Sequence, residues 1–163
     1  MDIKCANGVT FDRADPQLIK LARVFYDKAV NELKIPIIFT SVDRLLTTQI
    51  VLFCQGRMAL ADVNKIRKRL GLYLLDSSDD NEVTWTLDSR HVVDNNKPFS
   101  TAFDIAVLKN GSANWNDKVN VNGNDVPDYI ELAKMGQSIG LEPGALWTNV
   151  KPDMPHFQLP KIG

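Results

Sequence analysis

The chain has 163 residues, of which 44% are hydrophobic and 24% charged, a composition typical of a soluble globular protein with one core. Nineteen basic and twenty acidic residues leave a formal charge of −1, so no excess of cations favours binding to nucleic acid or anionic lipid. No stretch reaches the ~20 apolar residues that span a bilayer, and the first residues lack the pattern of a secretory signal. We expect one domain over residues 1–163, made in and soluble in a cytoplasm, with no membrane insertion.

The first predicted helix begins at Asp15 and Pro16, an N-cap residue followed by the proline favoured at the first helical position. Apolar residues then recur at spacings of three and four as far as Leu33, which is typical of an amphipathic helix. Pro36 closes this helix.

The sequence IIFTS (37–41) is rich in β-favouring residues and predicts a strand. A second helix carries TTQIVLFCQ (47–55) and ends at Gly56. A third helix is predicted from about residue 58 to residue 70. Its KIRKR sequence fits a solvated face with cations at the negative end of the helix, and a binding patch is the alternative.

The run DSSDDNE (76–82) has no apolar periodicity and predicts an exposed loop, with a calcium site as the alternative. VTWTL (83–87) and FDIAVL (103–108) are predicted strands. The pair Asn110-Gly111 indicates a turn where the second of them ends.

The last predicted helix runs from about residue 126 to residue 139, with Gly140 at its C-terminal cap. WTNV (147–150) and HFQL (156–159) are predicted as short strands that follow it. Because helices dominate the first half and strands the second, the fold class is expected to be α+β.

Asp104 lies within the predicted strand FDIAVL. Because side chains alternate along a strand, Asp104 shares one face with Ala102 and Ala106, while Phe103 and Ile105 point to the other. An acid within a strand is disfavoured unless it is paired, solvated or bound to metal. An ion-paired aspartate and a metal ligand therefore both fit this position.

The chain contains only two histidines. His91, in DSRHVVD, fits either a hydrogen-bonded surface residue or a ligand. His156 lies in PDMPHFQL, where Pro152 and Pro155 restrict the backbone and so fix the directions in which Asp153 and His156 point. Such a rigid segment favours a functional site at His156.

Together, His91, Asp104 and His156 form a set of ligands suited to zinc, because two imidazoles and a carboxylate leave a fourth position for water. This composition is typical of a catalytic zinc site. Asp153 precedes His156 by three residues and can reach the metal-bound water as a general base without binding the metal. These residues predict one Zn²⁺ per chain and a hydrolytic reaction.

The same motifs resemble a family of zinc peptidases. The order S-x-H, A-x-D, and then W with D-x-x-H resembles that of VanY-type D-Ala-D-Ala carboxypeptidases, vancomycin-resistance dipeptidases and, most closely, phage endolysins with L-alanyl-D-glutamate peptidase activity. The residues that carry these motifs here are Ser89-Arg90-His91, Ala102-Phe103-Asp104, and Trp147 followed by Asp153-Met154-Pro155-His156. The similarity extends over most of the chain, from about residue 18 to residue 159. Upstream positions that match the endolysin segment are Arg44, Gln49, Gln55, Gly56 and Arg57.

The resemblance implies a LAS/Hedgehog-type metallopeptidase fold, in which a small antiparallel sheet carries the zinc site and amphipathic helices pack against it. It implies zinc ligands at His91, Asp104 and His156, and a general base at Asp153. It also implies that Arg44 holds a substrate carboxylate or stabilises the oxyanion, a role that suits a planar and permanently charged side chain. A surface ion pair is the alternative for Arg44. Further residues that the resemblance places near the substrate or the ligands are Ser89, Gln49 and Trp147.

Two features depart from the family pattern. The twelve residues VVDNNKPFSTAF (92–103) separate His91 from Asp104, whereas the family spacing is short and contains a glycine. An inserted loop of about six residues is thermodynamically tolerable, because the entropic cost of loop closure grows slowly with length, and the loop could line the cleft and change the choice of substrate. Gln158 stands where an acid is common, and on a strand it shares the face of His156 and is placed to hydrogen-bond it.

These features predict an endolysin, a zinc endopeptidase that hydrolyses the L-Ala-D-Glu bond of peptidoglycan stem peptides. We expect a monomer that reaches the periplasmic wall from the host bacterial cytoplasm after a separate holin-like protein permeabilises the membrane. One alternative is a D-Ala-D-Ala carboxypeptidase or dipeptidase of the same family. The other is a non-catalytic zinc-containing wall-binding or virion structural protein, which would not need Asp153.

Overall fold

The computed structural model describes residues 2–161. The helices over these residues are α1 (Pro16–Asp27, continued by a π-helical turn at Lys28–Glu32), α2 (Leu46–Cys54), α3 (Leu60–Arg69) and α4 (Asp128–Ser138). The strands are β1 (Ile37–Ser41), β2 (Arg44–Leu45), β3 (Val92–Val93), β4 (Ala102–Lys109), β5 (Ser112–Asn114), β6 (Glu142–Pro143) and β7 (His156–Gln158). The expected α+β class is confirmed. Among these described elements, no helix combines the length and the apolar character needed to traverse a lipid bilayer.

Strand β4 is the centre of the main sheet. It pairs antiparallel with β1, β5 and β7, and β6 pairs with the outer side of β7. The register places His156 of β7 and Ser41 of β1 directly opposite Asp104. Because directly opposite residues of an antiparallel pair point to the same face, these three side chains gather on one face of the sheet.

The other face of β4 and β7 packs into an aromatic core. Phe103 and Phe157 lie opposite each other and stack, with ring centroids 5.5 Å apart, and the tilted ring of Phe25 of α1 lies 4.6 Å from that of Phe157. Gly136 brings α4 onto the same ring, since a Cβ there would lie 2.8 Å from Cε1 of Phe157. Burial of these rings holds β4 and β7 in the register that forms the site on the opposite face.

A second pairing is short and parallel. Strand β2 lies beside β3, with Arg44 opposite Val92, and the amide N–H of Arg44 donates to the carbonyl of His91 at 2.8 Å. This pairing brings Arg44 next to His91, although the two residues are far apart in the sequence. Two-residue strands carry no sequence signal, and the pairing was not predicted.

The strongest sequence signals are confirmed. The four helices, the strands at β1 and β4 and the start of HFQL as β7 lie where they were predicted. Asn110 and Gly111 both have positive φ, 54° and 81°, as a tight hairpin between β4 and β5 requires. Gly140 has φ of 99° just beyond α4, which is the conformation of a C-terminal cap.

Two strand predictions are wrong. Residues 83–87 are irregular, and their alternation is inverted, because Thr84 is buried and hydrogen-bonds to Gln49 while Trp85 is 51% exposed. The segment therefore presents its apolar side outwards and has no strand beside it. Residues 147–150 form no strand, and 148–150 are bends that follow a short 3₁₀ turn at Gly144–Leu146, because Trp147 packs against His156 and not in a ladder.

The 92–103 insertion runs along the start of α1. Ser100 donates its N–H to the carbonyl of Arg13 and accepts from the N–H of Asp15, at 2.8 and 2.9 Å. The buried Ser100 hydroxyl lies 2.8 Å from the carbonyl oxygen of Val42. These bonds fix one end of the insertion against α1, and Lys97 within the insertion lines a cavity beside Trp147 and Gln158, so part of the insertion lines the cleft as considered from the sequence.

Candidate active site

Three side-chain atoms from three different segments converge at one point. Nε2 of His91 lies 3.1 Å from Oδ1 of Asp104, Nδ1 of His156 lies 3.0 Å from the same oxygen, and the two nitrogens are 3.3 Å apart. Both imidazoles are buried, and Asp104 is half-buried. A group of these three ligand atoms is compact enough to hold a metal ion.

The remaining imidazole nitrogens are bonded to acceptors. Nδ1 of His91 lies 2.8 Å from the carbonyl oxygen of Val42, and Nε2 of His156 lies 3.1 Å from Oε1 of Gln158. Because these oxygens only accept, a ring in its neutral form carries its proton on the outward nitrogen and presents a lone pair on the inward one. Two lone pairs and a carboxylate oxygen then face one another, and a cation is the partner that satisfies all three. Their chemistry fits zinc.

The electrostatics of the cluster also favour a cation. Burial alone would raise the pKa of Asp104, but the charges and hydrogen bonds of His91 and His156 hold that pKa well below its usual range. Burial would lower the pKa of His156, but the hydrogen bond and charge of Asp104 outweigh it, so this pKa is raised. The ionised carboxylate of Asp104 attracts positive charge into this buried cluster. A metal ion can supply that charge in place of the protons on the histidines.

Arg44 is held beside the cluster by a buried hydrogen-bond network. Its Nη1 donates to Oε1 of Gln49 at 2.7 Å, its Nη2 donates to Oγ of Ser41 at 2.9 Å, and the same Nη2 lies 3.8 Å from Oδ2 of Asp104. Burial lowers the pKa of Arg44, while the charges of Asp104 and Asp153 oppose this shift. Since its side chain is only 16% exposed and pairs with an acid of the cluster, Arg44 is not in a surface ion pair.

Gln49 connects Arg44 to the irregular loop at residues 83–87. The side chain is fully buried, and its Nε2 donates to Oγ1 of Thr84 at 3.0 Å and to the carbonyl of Thr86 at 2.7 Å. All the polar atoms of this amide therefore have partners. Gln49 thereby fixes both the guanidinium of Arg44 and the wall of the cleft.

Asp153 is positioned by the turn at Gly144. The N–H of Asp153 donates to the carbonyl of Gly144 at 3.0 Å, and the N–H of His156 donates to the carbonyl of Asp153 at 3.2 Å. A Cβ on Gly144 would lie 2.5 Å from the carbonyl oxygen of Asp153, so only glycine permits this approach. Burial raises the pKa of Asp153, and the negative charge of Asp104 raises it further. A raised pKa suits a general base that works near neutral pH.

The other predicted residues contact the histidines. The ring of Trp147 lies 5.3 Å from that of His156, and its Nε1–H donates to Oε1 of Glu142 at 3.1 Å. Oγ of Ser89 accepts from the N–H of His91 at 3.3 Å. Trp147 therefore packs against His156, and Ser89 bonds the backbone of His91.

A cavity of about 610 Å³ opens over the cluster. Val83, Trp85 and Val150 on its rim are at least half exposed, and Nζ of Lys151 lies 5.2 Å from the Trp85 ring centroid. A second cavity of about 780 Å³ adjoins it and shares Trp147 and Gln158 with it. The predicted site residues that line the first cavity are Arg44, Ser89, His91, Asp104, Trp147, Asp153, His156 and Gln158.

Several contributing groups were not found from the sequence. The carbonyl of Val42 orients His91, but a backbone acceptor has no sequence signal. Ser41 and Thr84 are ordinary polar residues whose role depends on Arg44 and Gln49. Gly144 is the exception, because a glycine directly after a proline in LEPGALW is a turn signal that could have indicated a close approach.

The comparisons with known proteins identify the fold. The Serratia marcescens L-Ala D-Glu endopeptidase ChiX superposes with a TM-score of 0.51 and 18% sequence identity, over 96% of this chain and 90% of that chain. The LdcB LD-carboxypeptidase, whose structure reports the molecular basis of peptidoglycan recognition, superposes with a TM-score of 0.53 and 13% identity, over 97% of this chain and 65% of that one. No protein-family model and no curated protein sequence matches the chain. The chain therefore has the fold of these peptidases, and the fold expected from the motif resemblance is confirmed.

Proposed function

We propose that residues 1–163 form a single zinc peptidase domain that acts on peptidoglycan, and that the protein is a phage-type endolysin that hydrolyses the L-Ala-D-Glu bond of stem peptides. The observation that carries the proposal is the cluster of His91, Asp104 and His156, whose inward atoms are three acceptors within 3.3 Å of one another. Two solved structures with the same fold are peptidases, one of them an L-Ala D-Glu endopeptidase.

Each residue of the site has a distinct task in this proposal. His91, Asp104 and His156 would hold one Zn²⁺, which when bound supplies a Lewis acid that polarises a carbonyl and acidifies water. Asp153 would take the proton of the attacking water and pass it to the leaving amine. The guanidinium of Arg44, fixed by Gln49 and facing the cavity, would stabilise the developing oxyanion or hold a substrate carboxylate.

The shape of the cleft favours cleavage within a peptide over removal of a terminal residue. The two adjoining cavities share Asp88, Arg90, Trp147, Val150 and Gln158, so the space over the cluster continues past His156. A stem peptide can therefore extend beyond the point of cleavage. The cations that line the second cavity, Arg90, Lys97 and Lys161, suit the carboxylates of the stem peptide.

Mass spectrometry of the products tests the proposed bond. Purified peptidoglycan digested by the zinc-loaded protein should yield peptides with a new amino-terminal D-Glu, and glycan strands that retain L-Ala on the lactyl group. Release of a single carboxy-terminal D-Ala would instead identify a carboxypeptidase. Intact stem peptides after digestion with the zinc-loaded protein would refute peptidase activity and leave the non-catalytic alternative.

A carboxypeptidase or dipeptidase on the same stem peptide is the second candidate. It is favoured by the likeness to an LD-carboxypeptidase and by the position of Arg44, which could bind a terminal carboxylate. Free D-Ala or D-Ala-D-Ala in the same digest distinguishes this candidate.

As an endolysin, the protein would be a monomer, and it would need a separate holin-like protein to pass from the host cytoplasm to the wall.

Arg44→Lys tests the arginine. Lysine keeps the charge but loses the planar fork that bonds Gln49 and Ser41 together, so turnover should fall by about 10²-fold, the typical cost of one oxyanion donor. Zinc content and thermal unfolding should match the wild type. Arg69→Lys, at the exposed end of α3, is the matched control and should keep full activity. Unchanged kcat and KM in Arg44→Lys would contradict a role in catalysis or substrate binding.

A further inference from the structure

The segment before α4 carries oxygen-bearing residues at a regular spacing. Taking residue 120 as the first position of a twelve-residue loop, side-chain oxygens fall at positions 1, 3, 5, 9 and 12, and a backbone carbonyl falls at position 7. This is the ligand spacing of the EF-hand calcium loop, in which position 12 is a glutamate. The residues in these positions are Asn120, Asn122, Asn124, Val126, Asp128 and Glu131.

The local structure agrees with this spacing. Helix α4 begins at Asp128, so positions 9 and 12 both lie in its first turn, as in the exit helix of such a loop. Before it, the chain turns at Gly123, which has φ of 79°. The loop thus curls back on the start of the helix, and it brings its asparagine side chains towards the two acids.

Asp128 provides an independent indication of a missing partner. The residue is fully buried, and its Oδ2 accepts from the N–H of Val121 at 2.9 Å. Its Oδ1 is also buried and has no hydrogen-bond partner. The bond from Val121, the residue between Asn120 and Asn122, holds this carboxylate against the loop. A buried carboxylate oxygen without a partner is costly, and a cation would satisfy it.

Glu131 brings a second negative charge to the same place. Its Oε2 accepts from Nδ2 of Asn122 and from Nδ2 of Asn124, both at 2.8 Å. Burial raises the pKa of Asp128, and the nearby charge of Glu131 adds to this shift. Neither acid takes part in any of the ion pairs between described residues. Two adjacent carboxylates without a basic partner match the charge of a divalent cation.

We propose that the loop formed by residues 120–131 is a calcium site, distinct from the zinc cluster. Calcium prefers six to eight oxygen ligands, and carboxylates, amide oxygens and backbone carbonyls are the types present. Each asparagine can offer Oδ1 to the ion, because an amide oxygen has two lone pairs. With only two charged ligands the affinity should be low, with a dissociation constant of about 10⁻⁴–10⁻³ M. The proposal does not depend on the proposed peptidase activity.

The ion would stabilise the element that supports the active site. The hydroxyl of Tyr129, next to Asp128, donates to the carbonyl of Asn114 at 2.8 Å and accepts from the N–H of Val107 at 3.3 Å. About two helix turns later along α4, the chain packs on the aromatic core behind the site through Gly136. Calcium at the start of α4 would therefore fix the helix against β4 and β7.

Calorimetric titration and thermal unfolding test the site. CaCl₂ titrated into the zinc-loaded protein should bind with one ion per loop, and Ca²⁺ at ten times the dissociation constant should raise Tm by about 3–6 °C. MgCl₂ at equal ionic strength should give a smaller shift, because Mg²⁺ demands a tighter octahedral geometry. No heat of binding and no shift in Tm with 10 mM Ca²⁺, about ten times the weakest affinity expected, would overturn the proposal.

Glu131→Gln is the decisive variant, because it keeps an acceptor for Asn122 and Asn124 but removes the charge of position 12. It should weaken calcium binding by at least tenfold and leave the zinc content unchanged. Asp125→Asn removes an exposed charge of the same loop from position 6, which is not a ligand position, and should bind calcium like the wild type. Equal losses in both variants would show that calcium only screens the charge of the loop, and would overturn the site.

Discussion

His156→Ala is expected to lose its bound zinc and all detectable hydrolysis of peptidoglycan. The inward Nδ1 of His156 is one of three atoms that face one another in the cluster, and no other histidine or acid of the described chain joins this group. Loss of an outer-shell partner alone costs about 10–100-fold in metal affinity, so loss of a ligand should exceed this. Zinc stoichiometry by mass spectrometry and the clearing rate of purified peptidoglycan measure the two effects.

Metal removal from the wild type provides the matching control. Chelation should abolish hydrolysis, and added Zn²⁺ should restore it to the wild type but not to His156→Ala. If the chelated protein, shown to be free of metal, digests peptidoglycan at the full rate, the metal hypothesis is wrong. Stoichiometric zinc in His156→Ala would show instead that the ion lies elsewhere.

The sequence alone was sufficient for the elements whose signal is local. The helix that starts at Asp15 and Pro16 has a capping residue and a regular apolar face, and the structure confirms its N-cap, with the N–H of Gln17 bonded to Asp15. The alternation in β4 placed Phe103 in the core and Asp104 on the opposite face, as observed. Local chemistry determines each of these features, so no knowledge of the partner elements was needed.

Features that depend on partners were not predictable in this way. Residues 83–87 alternate as a strand would, but burial of Thr84 is decided by Gln49, which comes from α2. Likewise, the path of the 92–103 insertion is decided by hydrogen bonds from Ser100 to the start of α1. The carbonyl of Val42 orients His91 only because the chain reaches the ring from the end of β1. In each case, the hydrogen-bond partner of a polar group comes from a distant part of the chain, so a local sequence pattern does not indicate it.

The proposed role of Asp153 as a base can be tested separately from metal binding. It lines the cavity with His91, Asp104 and His156, but it is not among the atoms that converge in the cluster. Its backbone is fixed by the Gly144 turn, so the direction of its side chain is constrained. A carboxylate beside a metal site that is not a ligand is suited to accept the proton of water.

Asp153→Asn should therefore retain zinc and the wild-type Tm but lose about 10²–10⁴-fold in turnover, because asparagine keeps the size of the side chain but cannot take up the proton. The acid limb of the pH dependence of kcat/KM that reports protonation of Asp153 should disappear in this variant. Asp104→Asn should lose zinc affinity as well, and Asp62→Asn, an exposed acid of α3 that lines neither cavity, should behave as the wild type. Zinc stoichiometry and peptidoglycan-clearing rates on the three variants separate these outcomes. If Asp153→Asn loses its zinc while Asp104→Asn keeps it, the two acids have exchanged roles.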